Sequence, residues 1–394
     1  MNPSQDRIYL DHAATTAVDP RVLEAMLPYL SSVCGNPSSI HGTGQAARRA
    51  VESARATVAE ILGAHTDEIV FTSCGTESDN LALRGTLYAA PERRNQIITS
   101  QIEHHAILNT GEQLERMGYE VLYLPVDRYG MVDPDEVAAA ITERTALISI
   151  MYANNEVGTV QPLAEIGRIA RDHGVPLHSD AVQAPGGLDL NVDRLRVDMM
   201  SISGHKFYAP KGVGALYVRR GTPIAAAQTG GAQERHLRAG TENVPGIIAL
   251  ARALELVESA RPSESVRQRA LSQRLQEGLL TAIPHAFLAG HPSERLPNNT
   301  NLVFEGIVGE AVVNRLDLAG IASSSGSACA AGEEGESPVM RAMGLDEQLG
   351  QGSVRLTVGQ ENTSEDIEQV ISVLPGIIES LRQLSPVPLG KSRI

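Results

Sequence analysis

Ala146-Leu-Ile-Ser-Ile-Met151 is a short apolar run. Leu163 to Asp172 then spaces its apolar side chains at helical intervals, and Val175-Pro-Leu-His178 returns to β-rich composition. A strand, a helix and a second strand in that order read as a βαβ unit and therefore as part of a parallel sheet. The same rhythm extends both ways. Upstream lie the β-rich runs Glu68-Ile-Val-Phe-Thr72, Gln96-Ile-Ile-Thr99 and Tyr119-Glu-Val-Leu-Tyr-Leu124; downstream lie Val197-Asp-Met-Met-Ser201 and Gly214-Ala-Leu-Tyr-Val218. Helical periodicity falls between and before them, in Gln45 to Leu62, Asp79 to Tyr88, Ala106 to Met117 and Pro134 to Ala140. The prediction is an α/β fold with a large, mostly parallel seven-stranded sheet covered by helices.

From Val244 to about Ile283 a long helical pattern runs, with an interruption expected at Arg261-Pro-Ser263. The strand-like Asn301-Leu-Val-Phe304 and Gly352-Ser-Val-Arg-Leu-Thr-Val358 follow. These read as a smaller α+β domain. With 394 residues, more than one compact core is expected. The division expected is a large domain over residues 15–258 and a small one built from 1–14 and 259–394.

Composition narrows the function. Thirty-three basic against 47 acidic side chains give a net charge of -14, which repels a phosphate backbone and disfavours direct nucleic-acid binding. No apolar stretch approaches the ~20 residues that span a bilayer, and Met1 to Leu10 lacks the pattern of a secretory signal. A cytoplasmic protein without membrane insertion is expected. The three cysteines, Cys34, Cys74 and Cys329, are scattered and form no C-x-x-C, so neither a disulfide framework nor a zinc ribbon fits.

Three segments end strands of the expected sheet with chemically useful residues. Phe71-Thr-Ser-Cys-Gly75-Thr76-Glu-Ser78 is a strand running into a small-residue turn that opens a helix, a setting that favours an anion, although capped helices without a ligand share it. Asp180-Ala-Val-Gln183 directly follows the strand Val175 to His178, where ligands of open α/β sheets sit. Ser201-Ile-Ser203-Gly204-His205-Lys206 closes the next strand with hydroxyls, an imidazole and a lysine that a cleft could turn into a nucleophilic amine. An anion cradle, a carboxylate and a lysine at one sheet edge are the inventory that pyridoxal phosphate needs for its phosphate, its pyridinium nitrogen and its aldehyde. By contrast, Gly42-Thr-Gly44 imitates a dinucleotide fingerprint but follows a loop instead of a strand.

A fourth segment, Ser323-Ser-Ser-Gly326-Ser-Ala-Cys329-Ala-Ala-Gly332-Glu-Glu-Gly335-Glu, is rich in small residues and glycine. Such a composition predicts a surface loop whose thiol can reach in, attack and withdraw. His104 and His105 follow the strand near Ile98 and match no metal-site spacing, so no metal is expected.

Taken in order, Tyr9-Leu-Asp-His-Ala-Ala-Thr-Thr16, Gly35-Asn-Pro-Ser38, Thr76-Glu-Ser-Asp-Asn80, Glu103-His104-His105, Asn154-Asn155-Glu156, Asp180-Ala-Val-Gln183, Ser203-Gly-His-Lys206, Ser324-Ser-Gly-Ser-Ala-Cys329 and Arg341-Ala-Met-Gly344 resemble the cysteine desulfurases of the NifS and IscS type. These are fold-type I pyridoxal phosphate enzymes of the class V aminotransferase family. The resemblance covers nearly the whole chain. It implies that Lys206 carries the cofactor as a Schiff base, Asp180 pairs with the pyridinium nitrogen, Gln183 bonds the phenolic oxygen and His104 stacks on the ring. It places the phosphate among Gly75, Thr76, Ser203 and His205, with Thr241 reaching over from a second subunit, and so implies a homodimer. Asn155 and Arg355 would hold the carboxylate of L-cysteine, and Cys329 would take its sulfur as a persulfide, leaving alanine. The catalytic set so implied is Lys206, Cys329 and His104.

The spacing from Cys329 to Arg341 resembles the long-loop group, which hands sulfur to acceptors such as an iron-sulfur scaffold or a sulfur carrier. Two departures stand out: Ala330-Ala-Gly-Glu-Glu-Gly-Glu336 replaces the family's Thr- and Ser-rich run, and Cys74 stands where the family has glycine, read as a small apolar filler with a second sulfur acceptor as the alternative. The alternatives are a selenocysteine lyase, an aminotransferase that leaves Cys329 idle, and a non-catalytic scaffold. Retention of Lys206, Asp180, His104 and Cys329 together argues against the last.

Overall fold

The computed structural model describes residues 7–326, 337–385 and 389–390. Cys329 and the acidic run after it lie outside these. Seven strands form the main sheet in the order Ile69–Thr72, Gly214–Val218, Met199–Ser203, Leu177–Asp180, Thr145–Ser149, Gln96–Ser100, Glu120–Leu124. Only Gly214–Val218 runs against its neighbours; the pairings from Met199–Ser203 onward to Glu120–Leu124 are parallel.

Both faces of this sheet are buried, so its strands read as continuous apolar runs. Alternation still sorts the side chains. Val70, Met199 and Leu216 point to the face covered by the helices Gly75–Ala89 and His105–Arg116. Ile69, Phe71, Met200, Ala215 and Tyr217 point to the other, where Gly42–Leu62, Leu163–Asp172 and the first part of Val244–Ala282 pack.

Several boundaries differ from the sequence reading. The helix expected from Asp79 begins at Gly75, so Gly75 and Thr76 form its first turn. The strand expected at Val175 to His178 is Leu177–Asp180, so Asp180 closes it instead of following it. The interruption expected at Arg261-Pro-Ser263 is absent: Val244–Ala282 is one helix of 39 residues that passes through Pro262. Its interior position is tolerated because tertiary packing along the helix, not intrinsic propensity, holds it.

A second sheet, Ser324–Ser325, Ser353–Thr357, Asn299–Phe304 and Ala286–Leu288, is antiparallel throughout. Its core gathers Leu302, Phe304, Val354 and Leu356 with Leu271, Leu275 and Leu279 from the later part of the long helix and with Ile367, Val370 and Leu374 from Ser364–Leu384. Ile8 and Leu10 join this core, and the strand Ile8–Tyr9 pairs in parallel with Ile321–Ala322. The chain then crosses back to the main sheet, where the Ala13 and Ala14 carbonyls meet Lys206.

One backbone segment is strained. Glu234, Arg235 and His236 take φ of 43°, 57° and 64°, a left-handed run without glycine. Glu234 is buried and its carboxylate accepts both Arg55 guanidinium nitrogens at 2.7 and 2.8 Å and the Phe71 N–H at 2.8 Å.

Candidate active site

The parallel strands deliver their carboxyl ends to one edge, and five of them supply functional groups there: Thr72 leads to Gly75, Ser100 to His104, Ser149 to Asn155, and Asp180 and Ser203 close their own strands. Between them opens a cavity of about 290 Å³ lined by Gly75, Thr76, His104, Asn155, Asp180, Gln183, Ser203, His205 and Lys206. This is the setting in which open α/β sheets bind ligands. Nine of the expected site residues therefore converge on one space.

At one end the helix Gly75–Ala89 presents its amino terminus. A Cβ at Gly75 would lie 2.7 Å from Val182 Cγ2 and 3.4 Å from Ser203 Cβ, so only glycine brings the backbone this close. Free backbone N–H groups, the helix dipole and the Thr76 and Ser203 hydroxyls make this end suited to a phosphate.

At the floor, Asp180 is buried and its Oδ1 accepts the Val182 N–H at 2.9 Å. Burial raises its carboxyl above the usual range, against the pull of His104 and Lys206. His104 caps its own helix by accepting the Ala106 N–H at 3.0 Å, and burial first, then Lys206 and His105, hold it below the ordinary imidazole value. His205 is pushed down to about 4 by burial and by Lys206 and Lys211. Both imidazoles are therefore neutral at neutral pH.

Lys206 donates to the carbonyls of Ala13 at 2.6 Å and Ala14 at 2.8 Å. Gln183 donates to the same Ala13 carbonyl at 3.0 Å. The segment around Ala13 thus fixes both side chains. Backbone carbonyls carry no residue signature, so this grip leaves no mark in the sequence.

Arg355 does not line the cavity. It lies just behind it, 2% exposed, donating to the Asn155 carbonyl at 2.8 Å and pairing with Asp11 at 2.9 Å. Thr241 is exposed and does not line the cavity of its own chain. Arg238, three residues earlier, ties that segment to the first turn of Gly75–Ala89 through Glu77 at 2.8 Å.

Sequence reasoning gave no role to Asp79, His178 or Glu103, and read Cys74 as a filler. Asp79 and Cys74 line the cavity, so the Cys74 side chain faces the site as well as filling space. Asp79, fully buried, is raised well above the usual carboxyl range by burial and by Asp180. Behind it, His178 bonds the hydroxyls of Ser149 at 2.9 Å and Ser201 at 3.0 Å, and burial pushes it down to about 3. Glu103 accepts the Ser100 hydroxyl at 2.6 Å and the Met151 N–H, and burial raises it to about 8. Glu103 and His178 are polar residues in or just after apolar strand runs, which was the available signal for them; Asp79, inside a helix, carried none.

A glycine cradle at a helix terminus, a buried carboxylate that a protonated ring nitrogen would hold ionised, and a lysine at the same cavity fit pyridoxal phosphate. Fold and site together define a fold-type I enzyme of the pyridoxal phosphate class. The aminotransferase class-V family matches residues 8–370. A cysteine desulfurase IscS of Methanosarcina thermophila is 50% identical over 380 residues, covering 96% of this chain and 94% of that one. Among solved structures, a NifS-like protein superposes with a TM-score of 0.89 at 39% identity, covering 95% of this chain and all of the other. A second, described as SspA in complex with cysteine, gives 0.80 at 38% identity and covers 89% and 98%. The chain belongs to the class-V aminotransferase family and, within it, to the cysteine desulfurases. Pyridoxal phosphate is its cofactor.

Proposed function

We propose that the protein converts L-cysteine to L-alanine and carries the released sulfur on Cys329. The observation that supports this most is the convergence of Lys206, Asp180, His104, Gln183, Ser203, His205 and Gly75 on one cavity, with Asn155 at its wall and Arg355 directly behind. Pyridoxal phosphate, when bound, is an electron sink for bond breaking at the substrate's α- and β-carbons.

The remaining chemistry belongs to the chain. Gly75, Thr76, Ser203 and His205 hold the phosphate, with Thr241 contributed by the second subunit of a homodimer. Asp180 keeps the ring nitrogen protonated, and Gln183 bonds the phenolic oxygen. Lys206, held by two carbonyls, anchors the cofactor and moves the proton from the substrate's α-carbon. His104, neutral through burial and fixed by the Ala106 N–H on its Nδ1, lines the cavity and would stack on the cofactor ring. Asn155 at the wall receives the substrate carboxylate, and Arg355 directly behind it binds that carboxylate once its guanidinium turns from Asp11 and the Asn155 carbonyl.

The Cys329 thiolate attacks the substrate sulfur. The new S–S bond forms as the C–S bond breaks, its electron pair stays with the carbon and is protonated, and thiol plus cysteine become persulfide plus alanine. The persulfide is then passed to an iron-sulfur scaffold or sulfur-carrier protein in the cytoplasm. We assign residues 15–258 to a large cofactor domain and 1–14 with 259–394 to a small one; the clusters around Val58 and around Leu302 are separate and support that division, while a further cluster packs Ile102, Met151 and Val157 of the first against Val303, Val339 and Met340 of the second.

The test is alanine and sulfide formation from L-cysteine, repeated with selenocysteine and with Cys329→Ala. Collapse of cysteine turnover in the variant, with the visible absorption of the cofactor retained, is expected. Unaffected turnover on selenocysteine alone would make the protein a lyase, and amino transfer to an added keto acid would make it an aminotransferase.

A further inference from the structure

The arginine assigned to the substrate's carboxylate already holds a carboxylate of its own chain. Arg355 sits in the middle of the strand Ser353–Thr357, its backbone paired with Asn301 on one side and Ser324 on the other, so only its side chain is free to turn. The guanidinium is buried, with Nη2 bonded to Asp11 Oδ1 at 2.9 Å and Nη1 to the Asn155 carbonyl at 2.8 Å. Nε, also buried, has no hydrogen-bond partner among the described residues. A guanidinium presents five N–H donors in a planar fork and pairs best with a carboxylate through two of them. Asp11 takes it by one oxygen, which leaves a buried donor for a better-placed anion.

The backbone of Asp11 is as firmly fixed as that of Arg355. Its carbonyl accepts the Ala14 N–H at 3.0 Å and the Tyr9 hydroxyl at 3.1 Å. Residue 11 bridges to Thr357, which lies two positions from Arg355 and therefore on the same face of the strand, and the Ala13 N–H donates to the Thr357 hydroxyl at 3.0 Å. The Ala13 and Ala14 carbonyls of this turn are the ones that hold Lys206. The Asp11 carboxylate itself bonds Arg355 and no other described group, and its side chain is 21% exposed. Water can thus solvate it when the pair opens, and the separation strands no buried charge on the Asp11 side.

We propose that Asp11 is a positioning residue that acts through Arg355: it keeps the guanidinium behind the cavity wall while no substrate carboxylate is present and takes it back when the product leaves, so that binding exchanges one carboxylate for another. This rests on the reading of Arg355 as the ligand of the substrate carboxylate. The exchange lowers the affinity for every amino acid below what the unoccupied fork would give, and it leaves an amine without a carboxylate unaffected.

The test uses holoenzyme carrying Asp11→Asn, with Asp11→Ala and Arg355→Lys in parallel. L-alanine, and ethylamine, which is alanine without its carboxylate, are each titrated and followed by the change in cofactor absorption. Asparagine keeps the size of the side chain and removes the competing charge. L-alanine is expected to bind Asp11→Asn about tenfold more tightly than wild type, the difference made by one charge-assisted hydrogen bond, while ethylamine binds both equally. An ion pair that only stabilises the fold predicts the reverse, a looser site and weaker binding. L-alanine affinity that is unchanged or lower in Asp11→Asn, or a tightening shared by ethylamine, overturns the proposal. Should Asp11→Asn not fold, Asp11→Ala is judged by the same two results. Unchanged L-alanine affinity in Arg355→Lys, which keeps the charge and loses the fork, would instead overturn the reading of Arg355 on which the proposal stands.

Discussion

Glu234→Gln removes one charge from a pair that is almost dry: the side chains of Arg55 and Glu234 are 5% and 2% exposed. The carboxylate receives three donors, the two Arg55 nitrogens and the Phe71 N–H. Glutamine offers one oxygen, and its NH₂ must face an Arg55 nitrogen in either orientation, and the Phe71 N–H as well in one of them, donor against donor. The guanidinium stays charged and buried, and keeps the Ile69 carbonyl at 2.8 Å, the face of Phe71 at 4.7 Å and, at 3.4 Å, the half-exposed Glu52 carboxylate, which is too long and too solvated to replace Glu234. Breaking one side of such a pair costs about 3–5 kcal/mol. The same pair also holds three successive left-handed residues, each disfavoured by ~1–2 kcal/mol, so no slack in the backbone absorbs the loss. The expected result in urea unfolding followed by far-UV circular dichroism is a loss in that range for Glu234→Gln and a similar one for Arg55→Met. The double variant should lose about 2 kcal/mol less than the sum, since the stranded charge is gone. Additive losses, or a Glu234→Gln loss under ~1 kcal/mol, would refute the reasoning.

Gly75→Ala should weaken reconstitution of stripped protein with pyridoxal phosphate by about tenfold, because overpacking against Val182 costs ~1–3 kcal/mol; a titration with unchanged Kd would show that the cradle does not depend on that close approach. Glu103 titrates near 8 in the folded chain, well above an exposed carboxyl, so the folded state keeps a proton that the unfolded state loses. Its contribution is therefore fully present below the unfolded value and is lost as pH rises toward 8. Glu103→Gln should flatten the decline in stability across that window, and an unchanged pH slope in thermal unfolding would contradict the assignment.

Much of this was legible in the sequence for a physical reason. Strands buried on both faces announce themselves as apolar runs, and residues at their carboxyl ends share one edge whatever the loops do. Asp180, Ser203 and Lys206 could thus be placed together before any coordinates. Groups that act through the backbone were not legible: the Ala13 and Ala14 carbonyls beneath Lys206 and the Arg355 bond to Asn155 depend on contacts across 192, 193 and 200 residues of chain. Pro262 misled because local propensity was weighed without the packing on both sides of its helix. Asp11 sat inside a recognised motif, yet its contact with Arg355 spans 344 residues and leaves no local pattern.

The pairing of Ile8–Tyr9 with Ile321–Ala322 sets an order of assembly on the ribosome. The first strand of the chain must wait for 313 further residues before its partner exists, about 15–60 s at ordinary rates of synthesis. During that interval Ile8 and Leu10 have no core to enter, and the carbonyls that grip Lys206 are tethered on one side only. The main sheet, whose last strand ends at Val218, can pair much earlier. A nascent chain halted shortly after the long helix should therefore have its parallel sheet formed and its lysine still unsecured.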